Sequence, residues 1–198
     1  MSVPGRYLDT TTLQAYMRSD KVTEQALLEE AVLAAEQAID NALGRRIAVA
    51  SGTPSARSFA AKASDVLVIY DAVSITSVVE DGTTLTSGDD FQAEPLNGLS
   101  AAGESVPYCQ LRRFPWGACW TNDGGRATVT VTADWGWAAV PAPILEAAKI
   151  VAKDALENRE VRHGIVAATE FAGVGSRENL FVRQTVRDYR HPSRWGIG

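Results

Sequence analysis

The sequence lacks any run of about 18 or more apolar residues, the length that a helix needs to cross a bilayer. The stretch from Met1 to Asp20 also lacks the apolar core of a signal peptide. We therefore predict a soluble globular protein that is made in the cytoplasm and is not directed to secretion. Its 198 residues are enough for one well-buried core.

Cysteine and histidine are scarce, with two residues of each type. Cys109 and Cys119 are interpreted as ordinary thiols, because a lone pair of cysteines in a cytosolic chain seldom forms a disulfide. His163 and His191 do not have the spacing of metal ligands, and we expect both to face solvent near helix ends. A pairing of either cysteine with His163 stays open, since such partners meet only in the folded chain.

Motifs for nucleotides and phosphates are absent too. The sequence has no Gly-Lys-Ser/Thr loop, and the stretch from Gly173 to Gly175 lacks the third glycine of a dinucleotide fingerprint. The adjacent carboxylates Asp89-Asp90 and Glu29-Glu30 fall in a turn and on a polar helix face, where solvation explains them. The sequence thus predicts no catalytic residue, no metal site and no cofactor, and we expect a protein that is not an enzyme.

Positive charge is outnumbered by negative charge over most of the chain, which carries a net charge of −5. Residues 1–150 contain 11 Lys+Arg and 18 Asp+Glu, whereas residues 151–198 contain 8 and 6. An acidic body is poorly suited to wrapping duplex DNA, whose phosphates favour a basic stripe. Protein surfaces are therefore the expected partners.

Apolar periodicity and capping residues predict four helices. The first spans about 11–18; the second begins at Thr23, carries an apolar stripe at Leu28, Val32, Ala35, Ile39 and Ala42, and ends at Gly44. Pro141 and Pro143 begin a third helix that ends near His163-Gly164. Ser176 is placed to cap a last helix over about 177–190, which must stop before Pro192.

Between the second and third helices, short β-branched runs separated by Gly, Pro, Asn and Asp predict a β region. Asp81-Gly82 has the composition of a hairpin turn, and Gly98–Pro107 and Phe114–Gly125 are predicted loops. The predicted strands are Val66–Tyr70, Ile75–Val79, Phe91–Glu94, Tyr108–Leu111 and Ala127–Ala133.

Segregated helices and strands favour an α+β fold, with a helical bundle and an inserted antiparallel β region between the second and third main helices. We interpret residues 1–198 as a single domain. Its helical body covers 1–46 and 141–180, its β insertion covers 47–137, and its C-terminal helix and arm cover 177–198.

Two regions are candidates for contact with other proteins. Four tryptophans lie in the second predicted loop and just after its neighbouring strand, and they are either core anchors or a contact surface; they are Trp116, Trp120, Trp135 and Trp137. In the last helix, Arg183, Arg187 and Arg190 share one face beside an apolar stripe formed by Val182, Val186 and Tyr189. An extended arm with Arg194 and Trp195 follows.

Four stretches taken in order resemble a known family. They are Tyr7-Leu8-Asp9 before a short helix; the Ala-rich helix end from Ala38 to Arg46; the run from Ile75 to Leu85 followed by Asp89-Asp90-Phe91; and the strand from Val129 that continues through Trp135-Gly136-Trp137 to Pro141. Over nearly the whole chain, their order and spacing resemble the head-to-tail connector (adaptor) family of long-tailed bacteriophages.

This resemblance implies a structural adaptor subunit of the virion neck, assembled in the bacterial host cytoplasm into a homo-oligomeric ring of about twelve copies under the portal. The C-terminal segment would bind the portal protein, a role carried onto Arg183, Arg187, Tyr189, Arg190, Arg194 and Trp195. The opposite surface would receive the next neck or stopper protein, and the four tryptophans become possible subunit or neck contacts. DNA would pass through the channel without sequence-specific binding, and no membrane is involved.

Two alternatives stay open at this point. Another neck or tail-completion protein would bind the tail side instead, and a small enzyme of unknown chemistry would contain a cleft with a strongly shifted titratable group. If the adaptor interpretation holds, deleting residues 181–198 is expected to abolish portal binding and to leave the fold intact.

Overall fold

The computed structural model describes residues 7–17, 24–99, 105–115, 117–161 and 179–191. These residues belong to two compact units, with boundaries after Ile47 and after Ala139. One unit is helical and the other contains an antiparallel sheet, so the chain has the mixed composition of an α+β protein.

Four helices form the described part of the helical unit: α1 Thr10–Met17, α2 Gln25–Leu43, α3 Ala142–Val161 and α4 Leu180–Asp188. Helix α2 packs on each of the other three, and α3 also contacts α1 and α4. The stripe that predicts α2 is its buried face, except that Leu43 replaces the exposed Ala42 at the end of the stripe. Buried alanines on α2 and α3 shorten the distance at which their backbones can pack.

Capping groups fix the helix ends. The Asp9 carboxylate accepts hydrogen bonds from the Thr12 amide and hydroxyl, both at 2.7 Å, and so begins α1. Gly44 ends α2 in the left-handed conformation, as predicted, and donates its amide hydrogen to the Asp40 carbonyl at 2.9 Å. Asn179 caps α4, whereas Ser176, the predicted cap, lies outside the described residues, as does Thr23 before α2.

The sheet unit contains six strands in its described part: β1 Ser55–Phe59, β2 Val66–Glu80, β3 Thr83–Leu85, β4 Phe91–Glu94, β5 Tyr108–Arg113 and β6 Val129–Trp135. Their order is β1-β6-β2-β5-β4, with β3 also paired to β2, and every pair is antiparallel. The predicted Asp81-Gly82 turn joins β2 to β3.

The prediction of separate strands over Val66–Tyr70 and Ile75–Val79 is wrong, because both belong to the 15-residue strand β2. Its first half pairs with β5 and its second half with β6, and each of these pairings contains a shift in register. Asp71, which suggests a strand end in the sequence, is buried there, and its carboxylate accepts a hydrogen bond from the Trp137 indole at 3.0 Å. A charged residue can therefore occupy the interior of this strand.

A second error concerns β1, which the sequence pattern does not predict. Most of Ser55–Phe59 is exposed, and the strand lies at the edge of the sheet beside β6. In contrast, the alternation in β6 is confirmed, because Val129, Val131 and Ala133 are buried in the core of the sheet unit.

Gly136 allows the segment after β6 to pass close to the chain that enters the sheet unit. The Trp137 amide donates to the Ala48 carbonyl at 2.8 Å, and the Ala50 amide donates back to the Trp137 carbonyl at 2.9 Å. Gly136 has a φ of 127°, and a Cβ atom there would lie 2.5 Å from the Ala48 carbonyl oxygen. Only glycine satisfies both the backbone conformation and the spacing.

Candidate interaction surfaces

Helix α4 has a packed face and an exposed face, and the described arginines predicted to bind a partner are exposed. Val182 is buried, whereas Arg183, Arg187 and Arg190 are exposed and Tyr189 is half-buried. The Asn179 side chain accepts hydrogen bonds from the Phe181 and Val182 amides, at 3.0 and 3.3 Å. Arg194 and Trp195 lie outside the described residues.

The end of α4 is bound to the end of α2. The His191 amide donates to the Leu43 carbonyl at 2.9 Å, and an Arg45 guanidinium nitrogen donates to the Arg190 carbonyl at 3.4 Å. His191 is buried, so the prediction that it faces solvent is wrong; its backbone bond to α2 draws it inward. His163 lies outside the described residues.

These contacts bring two groups of arginines to one end of the helical unit. We call this set the arginine surface: Arg45, Arg46, Arg183, Arg187 and Arg190. The last four of these are exposed, and none of those four forms an ion pair with any acidic residue that the structure describes. The sequence predicts Arg183, Arg187 and Arg190 as a group on one helix, but α4 ends at Asp188 and Arg190 follows it. The sequence gives no signal that Arg45 contacts Arg190.

Two carboxylates, the buried Glu36 and the half-buried Asp40, lie in the C-terminal half of α2. One Glu36 carboxylate oxygen accepts hydrogen bonds from the amides of Tyr7 and Leu8, both at 2.8 Å, and so holds the segment before α1 on α2. One turn further on, the Asp40 carboxylate accepts a hydrogen bond from the Ile47 amide at 3.1 Å. Burial, with smaller effects of the Asp40 and Glu36 charges, raises the pKa of Tyr7 above its ordinary value.

Asp40 is expected to make the stability of the helical unit depend on pH. Burial is the main cause that raises its pKa from 3.8 to about 6, with a contribution from Glu36, while the Ile47 amide and Arg46 oppose the rise. A raised pKa favours the folded state below about pH 4, and this contribution is lost as the pH rises through about 6.

Accordingly, the stability advantage of the wild type over Asp40→Asn should shrink by about 1–2 kcal/mol between pH 4 and pH 7, after allowance for solvent screening. Urea denaturation of both proteins across this range measures the difference. A constant difference would mean that Asp40 titrates in the same way in the folded and unfolded chain.

Trp120 is a core anchor and offers no contact surface, because it is 1% exposed. Its indole nitrogen donates to the carbonyls of Asp65 and Leu111, at 3.1 and 3.3 Å. The Arg113 guanidinium lies 5.6 Å from the centre of its ring and pairs with the buried Glu80 carboxylate at 3.2 Å. These contacts fix the loop between β5 and β6 on the core.

The other tryptophans differ in their surroundings. Trp137 is 2% exposed and anchors the core, whereas Trp135 is half-buried, and Trp116 lies outside the described residues. Trp135 belongs to an aromatic cluster with Phe59 and Tyr70, in which ring centres are 5.6 to 6.4 Å apart. The Arg57 guanidinium covers this cluster, 4.6 Å from the Trp135 ring and 5.1 Å from the Tyr70 ring.

The aromatic cluster reaches the surface, because Tyr70 is 60% exposed. The sequence identifies Trp135 as a possible contact residue but gives no signal for Arg57 and Tyr70, which lie on two other strands. An arginine stacked on rigid aromatic rings has the composition of a protein contact site.

Both cysteines are free thiols; Cys109 is buried and Cys119 is exposed. Within the described ranges, no group of three or more His, Cys, Asp or Glu side chains could hold a metal ion. None of the helices described is both long enough and apolar enough to cross a membrane.

No family model matches the sequence, and no curated protein matches it either. Solved structures do share the fold. A chain in the neck of an empty gene transfer agent particle, determined with C6 symmetry, is 18% identical with a TM-score of 0.53, over 96% of this chain and 92% of that one. A chain in the virion of a native gene transfer agent particle is 20% identical with a TM-score of 0.51, over 96% and 92% of the two chains. The fold of this chain is therefore that of chains found in such particles.

Proposed function

We propose that this chain is a structural adaptor subunit in the neck of a phage-like particle. It forms a homo-oligomeric ring under the portal, and the next neck or stopper protein binds the opposite surface. The observation that carries the proposal is the fold, which is shared along nearly the whole chain with a chain in the neck of a gene transfer agent particle.

The C-terminal segment binds the portal protein in this proposal. Helix α4 suits that role because its packed face fixes it on the helical unit while Arg183, Arg187 and Arg190 stay exposed. Tyr189 borders this face, and Arg194 and Trp195 extend the contact. Exposed arginines that form no ion pair with the described residues are available for carboxylates on a partner.

Neighbouring subunits contact each other through the aromatic cluster around Trp135. A ring requires a heterologous contact, in which one patch of a subunit meets a different patch of the next. Phe59 and Trp135 pack on the core that contains Trp120, while Trp137, also buried, is not a contact residue in this proposal. DNA passes through the channel of the ring without specific binding, because the net negative charge of the chain opposes the phosphates.

A paired charge reversal on α4 tests the portal contact. The variant Arg183→Glu/Arg187→Glu should lower co-sedimentation with portal protein by about tenfold or more, because it places two negative charges against a surface that accepts arginines. Lys62→Glu/Arg126→Glu is the matched control, since it reverses two exposed charges on the sheet unit. Equal co-sedimentation of both variants with the wild type would contradict the portal contact.

Point substitutions are preferable to deleting residues 181–198, because that deletion would not leave the fold intact. It removes Val182 and Thr185, which are buried, together with the backbone bond from His191 to Leu43. If the chain is instead another neck or tail-completion protein, electron microscopy of labelled particles would locate it on the tail side.

A further inference from the structure

The ends of α2 and α4 meet although they are far apart in sequence. Arg45 and Arg190 are 145 positions apart, and the first donates a hydrogen bond to the carbonyl of the second. A second bond joins the His191 amide to the Leu43 carbonyl. The second bond joins the two backbones directly: Arg46 lies three residues along the chain from Leu43, and Arg190 directly precedes His191.

Helix electrostatics explains only some of these arginines. Cations are favoured at a helix C-terminus, which accounts for Arg187, Arg190 and the pair after α2. Arg183 is the fourth residue of α4, close to the N-terminal end where a cation is disfavoured. It has no ion pair with a residue that the structure describes.

Apolar neighbours distinguish a protein partner from DNA. Leu180 is 65% exposed and lies on the same helix face as Arg183 and Arg187, at spacings of three and seven residues. Phe181, beside it, is 41% exposed. Nucleic-acid interfaces are polar, whereas large apolar side chains beside arginines are typical of protein contacts.

We propose that the arginine surface, together with Leu180, is one composite docking site for a protein surface that presents carboxylates around an apolar cleft. Arg46 is therefore a binding residue equivalent to those of α4. This inference rests on the proposed portal contact and adds to it the contribution of α2 and the chemistry of the partner surface.

The substitution Arg46→Glu in the full-length chain tests the contribution of α2. Its affinity for purified portal protein, measured by biolayer interferometry, should fall by about tenfold at low salt. Arg126→Glu, at an exposed site on the sheet unit, should bind as the wild type does. Raising the salt concentration should weaken wild-type binding and reduce the difference in affinity between the wild type and Arg46→Glu.

Arg46→Gln is a control for an indirect effect of Arg46→Glu through Asp40, because Arg46 also lowers the pKa of Asp40. This variant should lose about threefold in affinity, since the charge is removed but not reversed, and keep the circular dichroism of the wild type. A duplex DNA probe under the same conditions should not bind.

Three results would overturn the inference. If Arg46→Glu binds portal protein normally while Arg183→Glu/Arg187→Glu does not, the docking site ends at α4 and the proposed function stands. If Arg46 is needed for binding to duplex DNA rather than to portal protein, the partner chemistry is wrong. If the wild type binds neither probe, the portal contact and this inference fail together.

Discussion

Replacing Trp120 with alanine is expected to destabilise the sheet unit by about 3–5 kcal/mol, one of the two largest effects anticipated for this chain. The indole is 1% exposed and lies among the buried strands, so its removal leaves a cavity. It also removes the two hydrogen bonds to the Asp65 and Leu111 carbonyls and the ring beneath Arg113. Urea denaturation followed by far-ultraviolet circular dichroism measures the loss.

Trp120→Phe separates the two causes, because phenylalanine retains most of the apolar volume and none of the hydrogen bonding. It should lose roughly half as much stability as Trp120→Ala. Trp135→Ala, at a half-buried site, should cost less than either. A cost below about 1 kcal/mol for Trp120→Ala would contradict its role as the anchor of the loop.

Gly136→Ala should destabilise the same unit by about 2–4 kcal/mol. The new Cβ would lie 2.5 Å from the Ala48 carbonyl oxygen and 3.0 Å from the Ala50 amide nitrogen. The backbone must then move apart, which disrupts the two hydrogen bonds between Trp137 and this segment. Thermal unfolding compared with the wild type gives the size of the effect.

Gly124→Ala is the matched control, since Gly124 also has a positive φ but nothing lies within 4 Å of the position that a Cβ atom would take there. It should cost only about 1 kcal/mol, the strain of the backbone conformation. Equal losses for the two variants would show that the close approach to Ala48 is unimportant.

The sequence predicts well those elements that local patterns determine. Helix α2 follows from its apolar spacing and Gly44, and β6 from its alternation, because each pattern is decided by neighbours within a few residues. The exposed arginine face of α4 follows from the same periodicity. The fold class follows from the order of these segments.

Long-range contacts account for the errors. The sequence suggests a strand end at Asp71, but in the folded chain the Trp137 indole donates a hydrogen bond to its carboxylate. The sequence also suggests that His191 faces solvent, but its amide donates to the Leu43 carbonyl and the residue is buried. Strand β1 has no apolar alternation, so only its pairing with β6 identifies it. The hydrogen bond from Arg45 to the Arg190 carbonyl, across 145 positions, is likewise encoded by no local pattern.

The free edge of β1 bears on how this chain resists aggregation. In the described part of the chain, this strand pairs on one side only, which leaves backbone groups that could recruit strands from other molecules. Three features oppose such runaway association: the strand has only five residues, Pro54 precedes it, and Arg57 places a charge at its centre. The arginine that covers the aromatic cluster thus also opposes fibril-like aggregation of this chain.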